Sequence, residues 1–169
     1  MALNFEKETL VRELKERNPK KVLVQLAEGI KQNAPEISDW IEKSLPGVEC
    51  IFSGETCWGA CSVAVQEAQA LGVDLIVHFG HAQFIEIDFP ILYMEVQDIL
   101  DLNPLLKKSL ESLKEYNKIG LSYSIQHRHD IGDIRKFYES QGKQVTLSKK
   151  ARTNAYEGHI TGCEYRGLR

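Results

Sequence analysis

The sequence predicts an α/β fold: a parallel-sheet domain with flanking helices, followed by an incomplete second copy of the same unit. Three observations carry that expectation. The run KVLVQL at 21–26 is almost continuously apolar and β-branched, the mark of a strand buried on both faces of a parallel sheet. Short apolar runs then alternate with amphipathic stretches, the rhythm of βαβ units. The same rhythm restarts at Lys118.

Each element follows from its own pattern. Residues 5–17 place Phe5, Leu10, Val11 and Leu14 among charges, as an amphipathic helix does. After the first strand, 34–45 stripes Ile37, Trp40, Ile41 and Leu45 along one helical face, and Pro46-Gly47 stops it. VECIFS (48–53) reads as a second strand, 62–71 as a helix rich in small residues, DLIVHF (74–79) as a third strand and ILYMEV (91–96) as a fourth. A helix over 104–116 separates the two passes. The second comprises a strand at 118–124, a helix at 130–140, a strand at 143–148, a loop, and HITGCEY at 159–165. Cys61 lies 40 residues after Lys21, and Cys163 lies 45 after Lys118. The expected domains are therefore 1–100, carrying Cys61, and a partial copy over 101–169, carrying Cys163. Only six residues follow Cys163. That predicts a sheet edge completed by another polypeptide, or a truncated protein.

Composition narrows the function classes. The chain is 43% hydrophobic and 27% charged, with net charge −3. Nothing there marks a general nucleic-acid or membrane-surface binder. The first 20 residues hold no apolar signal core, and no window approaches a membrane span. A cytoplasmic location is expected. There, Cys50, Cys57, Cys61 and Cys163 are expected buried, reactive or metal-bound rather than disulfide-paired.

The chemistry-bearing residues concentrate after strands. GETCWGAC (54–61) puts Cys57 and Cys61 in a loop with Gly54 and Gly59, and Cys61 is expected at a helix start, where free N–H groups favour thiolate. Cys50, inside a strand, reads as a small hydrophobe. LAEGIK (26–31) ends the first strand with Glu28 and Gly29, and HFGHA (78–82) carries His78 and His81 past the third. QHRH (126–129) places Gln126 and His127 after the first strand of the second pass. Open α/β sheets bind ligands at this end. Each residue also has a plain reading as a hydrogen-bonded loop residue. One Cys-x₃-Cys pair lacks the second knuckle of a zinc ribbon.

In KVLVQLAEG, GETCWGAC, GVDLIVHFGHA, QHRH and GHITGC, taken in that order, the chain resembles the archaeal 2-(3-amino-3-carboxypropyl)histidine synthases of the diphthamide pathway. The resemblance implies three related α/β domains, each giving one cysteine to a single [4Fe–4S] cluster, and a dimeric enzyme. It implies S-adenosylmethionine at the open iron. A 3-amino-3-carboxypropyl group would pass from it to a histidine of translation elongation factor two. Cys61 then matches the first cluster ligand and Cys163 the second, with Cys57 auxiliary. Glu28, Gly29, Gly54, His81, Gln126 and His127 are candidates for binding the charged ligand, and the glycines would let backbone approach it closely. The third domain and its cysteine have no counterpart here, so the expectation is a split or truncated subunit that needs a complementary carboxyl-terminal chain or a homodimer partner. Two alternatives stand beside it: a non-catalytic partner subunit, and a zinc module built on Cys57, Cys61, His78 and His81.

Overall fold

The computed structural model describes residues 2–168. They divide into two compact units: Asn4–Val96, and everything from Gln97 onward together with residues 2 and 3.

After the two-residue strand β1 (Leu3–Asn4), the first unit runs α1 (Lys7–Arg17), β2 (Lys21–Leu26), a 3-10 turn (Glu28–Asn33), α2 (Ala34–Ser44), β3 (Glu49–Phe52), α3 (Val65–Leu71), β4 (Leu75–Phe79) and β5 (Ile91–Met94). The four longer strands form one wholly parallel sheet in the order β3-β2-β4-β5. Central β2 is buried from Val22 to Leu26, as its apolar run requires. Asp74 fixes the start of the β2–β4 pair. Its carboxylate accepts the N–H groups of Lys20 and Lys21 at 2.8 and 2.9 Å, which holds its pKa below the usual value.

Strand pleating divides the core. Leu23 and Ile76 share a register row and pack with Ala64, Ala68 and Val73 on the α3 side. On the opposite side Phe79 meets Phe5 edge-on at 6.2 Å, and Phe5 meets Trp40 of α2 at the same distance. Leu10, Leu14, Ile37 and Ile41 are fully buried, so the apolar stripes of α1 and α2 are their core faces.

The second unit holds β6 (Gln97–Asp98), α4 (Asn103–Ser112), β7 (Lys118–Leu121), a 3-10 turn (Ile125–His127), α5 (Ile131–Ser140) and β8 (Gln144–Leu147). Strands β7 and β8 pair in parallel, and an isolated parallel bridge joins Tyr123 to His159. Both units follow the order strand, 3-10 turn, helix, strand. Any α/β chain generates that order, so it does not establish duplication.

Three expectations fail locally. The helix expected from residue 62 begins at Val65, which leaves Cys61 in a turn four residues ahead of it. Gln25 explains the delay: its side chain captures the Ala64 N–H and the Ser62 carbonyl, tying 62–64 to β2 outside the helix. The expected strand at 118–124 ends at Leu121, and β5 ends at Met94 rather than 96.

Candidate functional site

Parallel pairing brings the carboxyl ends of β2, β3 and β4 to one edge of the first sheet. The loops leaving that edge carry Glu28, Gly29, Gly54, Cys57, Cys61 and His81. Glu28 and Cys57 clamp each other. The Glu28 N–H donates to the Cys57 carbonyl at 3.1 Å, and the Cys57 N–H donates to the Glu28 carboxylate at 2.8 Å. Lys31 completes the clamp, pairing with the same carboxylate at 2.7 Å and donating to the Glu55 carbonyl at 2.8 Å. The Lys31 ammonium, then the Cys57 N–H, hold the Glu28 carboxyl below its ordinary pKa. Glu28 therefore fixes the cysteine loop to the end of β2.

The two cysteines of that loop have opposite environments. Cys57 is 1% exposed, its thiol making only a long 3.9 Å contact with the Gly59 carbonyl, and burial raises its pKa. Cys61 is exposed. Its place four residues before a seven-residue helix removes the helix-terminus argument for its thiolate. Trp58, between them, is 81% exposed.

Glycine matters here at a position that sequence reasoning passed over. Gly80 has φ +100°, and a Cβ there would stand 3.0 Å from the Ala27 Cβ. Only glycine lets the loops after β2 and β4 come so close. At Gly29 and Gly54 a Cβ would meet nothing within 4 Å, and neither has positive φ, so neither needs glycine's freedom.

A polar row crosses the sheet one step beyond Leu23–Ile76: Gln25, His78 and Tyr93, on β2, β4 and β5. Gln25 and His78 are 1% and 0% exposed. The Gln25 amide has one possible orientation, because the Ala64 N–H can only donate to Oε1 (3.1 Å) and the Ser62 carbonyl can only accept from Nε2 (2.8 Å). His78 Nδ1 must then donate to Gln25 Oε1 at 2.9 Å, leaving Nε2 bare. His81 Nδ1, 3.0 Å away, donates to it. Burial, then the neighbouring His81, pulls the His78 pKa down to about 3, and burial lowers that of His81. Both rings are neutral at pH 7. Sequence reasoning missed Gln25; its one signal was an amide inside an otherwise apolar strand.

One nitrogen of each histidine and the Cys57 sulfur all lie within 4.8 Å of one another. The Cys/His grouping expected from sequence thus assembles in part: Cys57, His78 and His81 converge, and Cys61 is outside the group. Cys50, half-buried in β3, has its pKa raised to about 11 by burial and by Glu42.

In the second unit Cys163 occupies the tip of a tight turn. Thr161 and Glu164 exchange backbone hydrogen bonds of 3.1 and 3.3 Å, leaving Gly162 and Cys163 at the bend. Thr161 Oγ1 is 3.6 Å from the Cys163 sulfur, which is exposed. Glu164 anchors the turn: its carboxylate accepts from Arg166 and Thr153, and Asn154 donates to its carbonyl at 3.4 Å. The Arg166 guanidinium, then the Arg166 N–H, pull the Glu164 pKa down to about 2. Gln126 and His127 lie in the 3-10 turn after β7, where His127 Nδ1 is 3.2 Å from an Asp130 carboxylate oxygen.

Residues 26–169 match the family described as putative diphthamide synthesis protein. A 2-(3-amino-3-carboxypropyl)histidine synthase of Pyrococcus horikoshii is 28% identical over 161 residues, which are 94% of this chain and 46% of the relative. A protein of Gallus gallus named subunit 1 of that synthase is 29% identical over 164 residues, 95% of this chain and 39% of its own length. The crystal structure of Dph2 from Pyrococcus horikoshii superposes with a TM-score of 0.88 at 28% identity, over 97% of this chain and 49% of that one. A second crystal structure of the same protein, with a 4Fe-4S cluster, gives the same TM-score. The chain spans about half the length of the relatives it matches or less.

Proposed function

Because the chain belongs to the diphthamide synthesis family, we propose that it supplies Cys61 and Cys163 to a [4Fe–4S] cluster in a 3-amino-3-carboxypropyl transferase. One observation carries this reading. Of the four cysteines, the two that match the family's ligands are the two exposed thiols, while Cys57 is buried and Cys50 half-buried. Each exposed thiol stands on a loop with an independent backbone anchor, the Glu28–Cys57 clamp for one and the Thr161–Glu164 turn for the other. Such a donor set fits a cluster held by thiolates.

A cluster held by these thiols would supply the single electron needed for reductive cleavage of S-adenosylmethionine, so that its 3-amino-3-carboxypropyl group could pass to a histidine of elongation factor two. This chain's residues hold and shape the surroundings. Glu28 and Lys31 keep the Cys61 loop on the end of β2. Gln126 and His127 are polar candidates for the amino and carboxylate groups of the methionyl moiety.

The test is transfer of radiolabel from carboxyl-labelled S-adenosylmethionine to elongation factor two under a strong reductant, with and without a complementary carboxyl-terminal fragment of a relative. Label on the factor's histidine that disappears with Cys61→Ala or Cys163→Ala is the expected result. A four-iron cluster that forms with the fragment but yields no label, with the natural factor present, would refute the assignment.

A further inference from the structure

We propose that Cys57, His78 and His81 form a second metal site in the first unit, separate from the cluster ligand Cys61 and selective for a borderline divalent ion of the zinc class. The inference goes beyond the transferase reading and does not depend on it.

The ligand atoms are already gathered within 4.8 Å of one another. Zinc bonds of about 2.0–2.1 Å to nitrogen and about 2.3 Å to sulfur place tetrahedral donors roughly 3.3–3.7 Å apart. The two histidine nitrogens are 3.0 Å apart, so a small outward shift admits an ion between them. Orientation is built in as well. A metal-binding histidine characteristically donates its other ring N–H to a fixed acceptor. His78 does so to Gln25 Oε1, and Gln25 is itself locked by the Ala64 N–H and the Ser62 carbonyl. That leaves His78 Nε2 bare and aimed at His81. The Cys57 thiol has no short hydrogen bond to lose, and its backbone is clamped by Glu28. Two imidazoles and a thiolate suit zinc, cobalt or ferrous iron far better than calcium or magnesium. Three protein ligands leave a fourth position for water or a small anion.

The proton balance is simple. Binding releases one proton, from Cys57. His81 frees Nδ1 by moving its proton to Nε2, so it adds nothing to the count.

The experiment titrates the full chain with cobalt(II) under anaerobic conditions, then with zinc(II). It uses the natural sequence and variants Cys61→Ala/Cys163→Ala, Cys57→Ser, His81→Gln and Gln25→Leu, with circular dichroism to confirm that each is folded. The expected result is one cobalt per chain, a thiolate-to-cobalt charge-transfer band with intense tetrahedral d–d absorption, one proton released, and displacement by zinc. The Cys61→Ala/Cys163→Ala chain keeps all of this. Cys57→Ser loses the charge-transfer band, and Gln25→Leu weakens binding by about 10–100-fold. A band that survives Cys57→Ser and vanishes in Cys61→Ala/Cys163→Ala would overturn the proposal, as would no stoichiometric cobalt uptake by the natural chain. Either outcome leaves the transferase assay to stand or fall by itself.

Discussion

Glu164 shows how one side chain can hold a reactive neighbour in place. Its carboxylate gathers Arg166 and Thr153, and its backbone closes the turn that presents Cys163. The folded pKa of about 2 lies below the ordinary 4.5, so the carboxylate's contribution is fully present above about pH 4.5 and is lost as pH falls from there towards 2. A carbon-detected titration of Glu164 should therefore have its midpoint near pH 2, with the Arg166 amide, which donates to that carboxylate at 3.0 Å, losing exchange protection over the same interval. A midpoint at the ordinary glutamate value would remove the anchor from the account. Little of this was visible beforehand. Cys163 stood out in the sequence through its glycine neighbour, yet a Cβ at Gly162 would meet nothing within 4 Å, and the turn is held by Thr161 and Glu164 instead.

Among the elements, the central strands were the most legible. A continuous apolar run admits few readings, and KVLVQL became the buried β2 as expected. Helix α3 was less legible at its start. Small residues from 62 onward suit a helix, but Gln25, 37 residues earlier, captures the backbone of 62–64, and no local pattern announces a contact that distant. Segment 118–124 failed in the same way. Its strand stops at Leu121 because Tyr123 turns to the 158–160 loop, its N–H donating to the Gly158 carbonyl at 2.9 Å and its carbonyl accepting the Ile160 N–H at 3.0 Å. Gly158 makes that junction possible: its φ is +80°, and a Cβ would lie 2.6 Å from the Tyr123 ring. Gly158→Ala should cost at least about 1–2 kcal/mol from the left-handed backbone alone, with ring displacement added. Urea unfolding followed by circular dichroism or by the Tyr123 ring resonances checks this. A change within about 0.5 kcal/mol of zero, the range of ordinary surface substitutions, would contradict it.

At the scale of the molecule, each unit carries one exposed cysteine on an anchored loop, and the fold agrees with the Dph2 structure over nearly the whole chain. No helix among the described residues is long and apolar enough to cross a membrane. Alternation of strands and helices made the fold class readable. The division of labour among cysteines was not, because exposure depends on tertiary contacts: Cys57 and Cys61 share one loop, yet one is buried against histidines and the other faces solvent. On the proposed function, Cys61 and Cys163 serve one cluster. The most direct measurement is anaerobic iron and sulfide reconstitution with a complementary carboxyl-terminal fragment, followed by electron paramagnetic resonance of the reduced sample with and without S-adenosylmethionine. The expected result is a reduced four-iron signal that shifts on adding S-adenosylmethionine and disappears in both Cys61→Ala and Cys163→Ala. An unchanged signal in either variant would contradict it.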